Sequence, residues 1–153
     1  MNIFVTYLCP VESAKALDDK RVVKMILESA QMLSTAINLS NMSQAPYKST
    51  HVNHPCSVWA RTSKANFRWL LTHFLALCHE YTARYGKEHK CQQFYTYFCT
   101  CIRFMPDGEL TPFANCTNRK QFDVITAYRL TMEEKWANDK RKPTWKNGSK
   151  PTW

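Results

Sequence analysis

Hydrophobic and polar residues recur with helical spacing along most of the chain, most clearly from Asn66 to Arg84. At 3.6 residues per turn, one strip about 60° wide collects polar and amphipathic side chains, namely Asn66, Trp69, His73, Glu80 and Arg84. The neighbouring face is apolar and aromatic. Mixed donors and acceptors beside packed rings are typical of a functional site. The plainer alternatives are an ion pair between Glu80 and Arg84 and a structural hydrogen bond for His73.

A second strip lies on the helix predicted upstream. Residues Ala14 to Ile37 contain no Gly or Pro, so a helix is expected from Pro10 and Ser13 to about Asn38. Its polar positions share an arc of about 80°, and they are Lys20, Lys24, Glu28, Gln31 and Thr35. This strip either faces solvent or lines a cleft opposite the first strip.

The remaining pattern completes an all-α fold, a single-domain helical bundle. Asn2 to Leu8 is apolar and predicts a short extended N-terminal arm tucked into the core. Further expected elements are a loop from Asn38 to Asn53, a short helix from Ser57, a long helix capped by Ser63 and ended by Gly86, a buried helix within Gln92 to Arg103, and a helix from Lys120 to Asn138. Residues 1–153 then form one domain that ends in a basic aromatic tail at about 139–153.

Charge narrows the class of partner. The 153 residues carry 21 Lys and Arg against 12 Asp and Glu, a net charge of +9. After Lys135, basic residues alternate with tryptophans, as phosphate backbones and stacked bases require. The alternative is a solvated tail that its tryptophans anchor to the core.

Composition excludes several classes. No apolar run is long enough to span a membrane and no signal peptide precedes the domain, so a cytoplasmic protein, in a host cell if viral, is expected. Seven cysteines, an odd number, indicate free thiols. Cys91, Cys99, Cys101 and Cys116 with His89 lack a C-x-x-C pair, so no metal and no cofactor are expected. Nucleotide-binding glycine motifs are also absent.

Three polar segments supply the candidate site residues. They are 18–28, 53–61 and 80–89, and they offer acids, amines and anion donors. The candidates for catalysis are Lys20, Lys24, Glu28, His54 and Glu80. The candidates for binding nucleic acid or another anion are Arg21, Gln31, Arg61, Asn66, His73, Arg84, Lys87, His89, Arg141, Lys142 and Trp145.

These segments resemble a family of small phage and marine-virus proteins, a resemblance that implies no particular activity. It is carried by Asp19 to Gln31, Asn53 to Trp59 and Glu80 to Lys87. More remotely, the layout is similar to the phage pyrimidine-dimer DNA glycosylases of the endonuclease V type. The shared features are an N-terminal arm feeding a helix, a His-Pro turn before a long helix, and a basic Pro-Thr-Trp segment at Arg141 to Lys146.

The glycosylase resemblance implies a mechanism. In that family the N-terminal amine attacks the sugar C1′, a Glu on the first helix stabilises the cationic transition state, and basic residues hold kinked DNA with a base flipped out. Lys20 and Lys24 would take the basic positions. Arg21 stands at the expected place of the catalytic Glu, with Glu28 two turns further on, and Asn2 disfavours removal of Met1.

The sequence therefore predicts a viral DNA-acting enzyme, a DNA N-glycosylase or lyase that uses an amine and a carboxylate. The alternative is a non-catalytic binder of nucleic acid or of a small anionic nucleotide that antagonises host defence. A purely structural helical protein is the third hypothesis. The oligomeric state is left open.

Overall fold

The structure, a computed structural model, describes residues 1–40 and 44–153 and contains helices but no strand within them. The all-α prediction is confirmed. The α-helices are α1 (Pro10–Lys15), α2 (Asp19–Leu39), α3 (Pro55–Thr62), α4 (Lys64–Tyr85), α5 (Tyr95–Cys101) and α6 (Val124–Asn138). Two 3₁₀ turns, Lys90–Phe94 and Ile102–Phe104, flank α5.

Local signals set both ends of α4 as predicted. Ser63 Oγ accepts a 3.1 Å hydrogen bond from the N–H of Asn66, which caps the first turn. Gly86 adopts φ 69°, the left-handed conformation that ends a helix without a Cβ clash.

Long-range contacts interrupt the helix predicted from Pro10 to Asn38. The chain leaves the helical path between α1 and α2, and the carbonyl oxygen of Leu17 accepts a 2.8 Å hydrogen bond from Arg84. Since no Gly or Pro marks this break, local sequence could not reveal it.

The observed starts of two other helices differ from the predicted ones by a few residues. α3 begins at Pro55 rather than Ser57, with His54 as its N-cap. α6 begins at Val124 rather than Lys120, because Asp123 caps the N–H of Thr126 at 3.0 Å. The aromatic segment 92–103 forms a helix broken by 3₁₀ turns. In the predicted loop after Asn38, Asn41 and Ser43 lie outside the described residues.

α2 and α4 pack along each other at the centre, and the N-terminal arm fills a gap beside them. Ile3 and Val5 are 3% and 1% exposed. The ring of Phe4 meets that of Tyr128 on α6 edge to face at 6.2 Å. The arm bends at Phe4, where φ is 57°, so it is not extended throughout.

The segment after α6 contains no helix and returns to the start of α2. Thr144 Oγ1 donates to Asp19 Oδ2 at 2.6 Å, and the N–H of Lys146 donates to Oδ1 at 3.0 Å. Trp145 donates from Nε1 to the carbonyl oxygen of Ala16 at 3.1 Å. These contacts fix basic residues 140–142 beside α2. Among the described helices, none has the length and apolar character to cross a bilayer.

Candidate active site

The amino terminus lies against a carboxylate in the middle of α2. The amine of Met1 is 3.7 Å from Oε2 of Glu28, and the N–H of Asn2 donates to the same oxygen at 2.9 Å. Lys24, one turn earlier, places Nζ 3.4 Å from Oε1. The Glu28 side chain is only 13% exposed. An amine, a carboxylate and an exposed ammonium therefore meet at one point.

A turn in the arm aims the amine at Glu28. Asn2 Oδ1 accepts the N–H groups of Ile3 at 2.8 Å and Phe4 at 3.1 Å. The positive φ of Phe4 is uncommon for a bulky side chain and costs conformational energy. The buried packing of Ile3 and Phe4 compensates for that cost, so the terminus is held rather than free.

The carboxylate of Glu28 stands between two cavities. One has a volume of about 320 Å³ and is lined by Met1, Asn2, Phe4, Lys24, Glu28, Cys116, Thr117, Asn118, Thr131 and Lys135. The other measures about 480 Å³ and is more apolar, and its lining includes Val23, Leu27, Gln31, Tyr47 and His89. Lys24 and Glu28 border both. The predicted residue Gln31 thus lies beside the site, as does His89.

The predicted basic residues of α2 divide into two groups. Lys20 and Lys24 are exposed on one stripe of the helix. Arg21 is 8% exposed, and its Nη1 lies 2.9 Å from Asp18 and 2.8 Å from Asp139. Arg21 therefore belongs to a structural ion pair with Asp18 and Asp139 and lines neither cavity beside Glu28.

A third cavity of about 630 Å³ lies beside Lys20. Its lining includes Lys140, Arg141 and Lys142 together with Asp18 and Asp139. Asp139 accepts from Lys20 at 3.2 Å, and Arg21 holds the pKa of this carboxyl below its ordinary value. Arg141 and Lys142 are exposed, as a nucleic-acid contact requires, whereas Trp145 packs on Trp136 with ring centres 5.0 Å apart.

The polar strip of α4 is not part of a cleft, contrary to the expectation that it would face the strip on α2. Asn66 is fully buried and bonds Trp59 and Thr111. His73 is fully buried, contacts the carbonyl oxygen of Pro10 at 2.9 Å and stacks on Trp69. Burial lowers the pKa of His73 to about 4.

Arg84 and Glu80 complete this structural strip. Arg84 Nη2 lies 2.8 Å from Glu80, while Nη1 contacts Leu17 and Asp19. Burial alone would raise the pKa of Asp19. The hydrogen bonds from Thr144 and Lys146, together with the positive charge of Arg84, outweigh burial and lower this pKa. The strip therefore fastens α4 to the α1–α2 junction and does not converge on Glu28.

Of the remaining candidates, Arg61 and Lys87 line neither cavity beside Glu28. Arg61 donates to the carbonyl oxygen of Val52 at 2.7 Å and borders a small cavity near Met105. Lys87 is exposed beyond the end of α4. His89 caps the first 3₁₀ turn and touches Tyr81 edge to face.

Two thiols and an imidazole form a cluster beside the amino terminus. Cys56 and Cys116 lie 3.5 Å apart at sulfur, and their donor atoms and one of His54 are all within 4.8 Å of one another. The contact with Cys56 lowers the pKa of Cys116 to about 6, and the same contact raises the pKa of Cys56. Burial and the positive amino terminus lower the pKa of His54.

Sequence reasoning missed several of these residues. The cavity beside Glu28 is also lined by Asn2, by the loop residue Cys116 and by Lys135 on α6. The N–H of Asn2 contacts Glu28 directly. Lys135 stands at the start of the basic C-terminal run and was visible only as charge. Asn2 and Cys116 carry no periodic or motif signal, since only the tertiary fold brings them to Glu28.

Comparison with known proteins decides the family. The family model described as pyrimidine dimer DNA glycosylase matches residues 1–93. The chain belongs to this family. No curated protein and no solved structure matches significantly. The matched residues include Met1, Lys24 and Glu28. The match confirms the glycosylase resemblance and the prediction of a DNA glycosylase-like enzyme. It supports DNA, and not a small nucleotide, as the expected substrate class.

Proposed function

We propose that this member of the pyrimidine dimer DNA glycosylase family cleaves the N-glycosidic bond of one pyrimidine of a dimer in duplex DNA and then acts as a lyase. The α-amine of Met1 is the nucleophile and Glu28 is its carboxylate partner. The observation that supports this proposal is the meeting of both groups at Glu28 Oε2, at 3.7 Å for the amine, on the wall of a cavity.

The chemistry balances with these groups alone. The uncharged amine attacks C1′ of one nucleotide of the dimer and the C1′–N bond breaks. The electron pair of that bond goes to the base nitrogen, which takes up a proton, and the base stays joined to its neighbour through the cyclobutane ring. Glu28 stabilises the positive charge that develops on the sugar. One amine proton balances the proton taken up by the base. The furanose then opens as the C1′–O4′ bond breaks, O4′ takes the second amine proton, and a Schiff base forms between C1′ and the amine nitrogen. Water then returns the amine and an abasic site, or elimination of the 3′ phosphate cuts the strand.

Met1 is favoured over the lysines as nucleophile by its surroundings. Its side chain is 1% exposed, whereas those of Lys24 and Lys20 are 68% and 70% exposed. Lys20 is also about 12 Å from Glu28 along the helix axis. Asn2 disfavours removal of Met1. If Met1 is removed, the amine of Asn2 takes its place on the same carboxylate oxygen.

The DNA-binding surface is proposed to follow exposed cations from the 140–142 segment through Lys20 to Lys24. Such a band neutralises successive phosphates and leads to Glu28. Val23 and Leu27, exposed by 37% and 40%, border the apolar cavity beside Glu28 and offer a surface for an unstacked base.

Borohydride trapping tests the nucleophile. The full-length protein is incubated with a duplex containing one cyclobutane pyrimidine dimer, sodium borohydride is added, and the adduct is digested and mapped by mass spectrometry. We expect the DNA on the peptide that begins with Met1, or with Asn2 if Met1 is absent. An adduct on the peptide containing Lys24 would replace Met1 with Lys24 as the nucleophile.

Two variants complete this test. Lys24→Arg and Lys20→Arg keep the charge but remove the primary amines, and both should still be trapped at the amino terminus. A chain carrying an additional N-terminal residue moves the amine and should lose trapping. DNA binding with a steep salt dependence but neither an adduct nor an abasic product would contradict glycosylase chemistry and favour the non-catalytic binder.

A further inference from the structure

The cluster of His54, Cys56 and Cys116 has the composition and spacing of a metal site. The two sulfurs are 3.5 Å apart and the three donor atoms lie within 4.8 Å of one another. Two thiolates bound to one tetrahedral Zn²⁺ at about 2.3 Å each are about 3.8 Å apart. A shift of a few tenths of an ångström would therefore bring both sulfurs to the distance that zinc requires.

Contacts outside the cluster hold each donor in place. His54 is the N-cap of α3, and Cys56 is 1% exposed in its first turn. The N–H of Cys116 donates to the hydroxyl of Tyr128 at 3.2 Å, and that hydroxyl donates to the carbonyl oxygen of Ala114 at 2.9 Å. The start of α3 thus presents His54 and Cys56, and a loop anchored to α6 presents Cys116. Cys56 and Cys116 are 60 residues apart in sequence.

We propose that His54, Cys56 and Cys116 bind one Zn²⁺ ion. Two cysteines and one histidine are a known zinc ligand set that leaves the fourth position for water or another donor. Binding removes one proton from each thiol and releases both to the solvent. Cys116 lies outside the residues matched to the glycosylase family, so the family match does not account for the cluster.

Zinc here would position the amino terminus. Cys56 Sγ is 4.0 Å from Oδ1 of Asn2, whose N–H contacts Glu28, and Cys116 lines the same cavity as Met1. The ion would join α3 to the loop before α6 directly beside the arm. Zinc binding would remove one hydrogen bond. A neutral imidazole that binds a metal through one nitrogen carries its proton on the other, so neither nitrogen can accept a hydrogen bond. The N–H of Cys56 then loses its 3.2 Å acceptor on His54.

Cobalt titration tests the site directly. The full-length protein, fully reduced and stripped of metal, is titrated with Co²⁺ and then with Zn²⁺. We expect one equivalent of Co²⁺ to produce thiolate charge-transfer absorption and the visible bands of a tetrahedral ion, and Zn²⁺ to displace it. Zinc should also raise the Tm of the reduced protein.

Matched variants make the result specific. Cys116→Ser should weaken binding by roughly 100-fold or more, since even losses beyond the ligands cost 10- to 100-fold. His54→Asn retains a side-chain cap for α3 but removes the imidazole, and it should lose the tetrahedral spectrum. Cys99→Ser, a half-buried cysteine outside the cluster, should bind as the native chain does.

The proposal fails if the reduced native chain shows no cobalt spectrum, or if Cys99→Ser weakens binding as much as Cys116→Ser. If reduced protein binds no metal, and the untreated protein is about 2 Da lighter per molecule with a cross-link between the peptides of Cys56 and Cys116, the pair is a disulfide and the zinc site is refuted. Cys56→Ser is not needed for this decision, so a folding defect at that buried position does not affect the test.

Discussion

The N–H of Asn2 donates across 2.9 Å to Glu28 Oε2, and this bond joins the beginning of the chain to the middle of α2. Met1 lies 3.7 Å from the same oxygen. The bend at Phe4 and the buried Ile3 side chain make the contact possible. The amine is therefore held against the carboxylate by the fold itself. If it is the nucleophile, as proposed, this placement reduces the entropy that the reaction must otherwise lose.

Glu28→Gln should abolish most cleavage of the glycosidic bond while leaving the fold intact. Glutamine keeps the size and a carbonyl oxygen for the N–H of Asn2, but it removes the negative charge that stabilises the sugar cation. We expect the single-turnover rate on dimer-containing DNA to fall by roughly 100-fold or more, with the free energy of unfolding changed by about 1 kcal/mol or less. Glu12→Gln, an exposed acid on α1, is the control. Equal rates for the two variants would contradict the role of Glu28.

Local sequence signals were sufficient for the ends of α4 but not for the break before α2 or for the site. Ser63 and Gly86 fix the ends of α4 through hydrogen bonds and backbone conformation within a few residues. Helical spacing also identifies which residues share a face. It does not identify what covers that face, so the pattern cannot decide between a functional site and the structural hydrogen bonds that the buried Asn66 and His73 make.

The position of Glu28 illustrates the same limit. The sequence shows that Glu28 is an acid on α2, but the position at which the glycosylase resemblance expects the catalytic Glu is occupied by Arg21. The break before α2 and the bend at Phe4 set which turn of the helix the amino terminus reaches. Neither feature has a local signal. The contact of Cys56 with Cys116 is likewise a product of tertiary structure alone.

Arg84→Met should destabilise the fold strongly. The Arg84 side chain is 3% exposed and bonds Asp19, Glu80 and the carbonyl oxygens of Leu17 and Lys15. Its loss leaves buried acceptors and a carboxylate without a cation, so we expect a loss of about 3 kcal/mol or more. Urea unfolding measures the change, and Arg68→Met on the exposed face of α4 is the control.

The outcome also decides between the two interpretations of the α4 strip. Arg84→Met is assayed at a low temperature at which it remains folded. If it cleaves the glycosidic bond at the native rate, the strip is structural. A stable variant with lost catalysis would instead return Arg84 to the active site.

His73 should make the protein less stable as the pH falls below 6.5. Burial lowers the pKa of His73 from 6.5 to about 4. Between these pH values the imidazole is therefore protonated in the unfolded chain but neutral in the folded chain. The associated stability is fully present above pH 6.5 and is lost toward pH 4, to a total of about 3 kcal/mol. Urea unfolding between pH 7.5 and 4.5 measures this loss.

His73→Gln removes the titrating ring and should flatten that part of the pH profile, although its stability at pH 7.5 will be lower because the contact with Pro10 and the stacking on Trp69 change. Thr72→Gln is an exposed neighbour without a titrating group and should keep the native slope. An unchanged slope in His73→Gln would assign the acid sensitivity to other groups.

The basic segment beside α2 should contribute to DNA binding through phosphate contacts. Arg141 and Lys142 are exposed and border the cavity next to Lys20, and the bonds from Thr144 and Lys146 to Asp19 hold them there. Arg141→Gln and Lys142→Gln should each weaken binding to undamaged and damaged duplex alike. Each should also reduce the slope of log affinity against log salt concentration by about 1. Lys48→Gln, which removes an exposed charge from the loop after α2, is the control for net charge. If it lowers the slope as much as the other two, binding follows total charge and the proposed band along α2 is wrong.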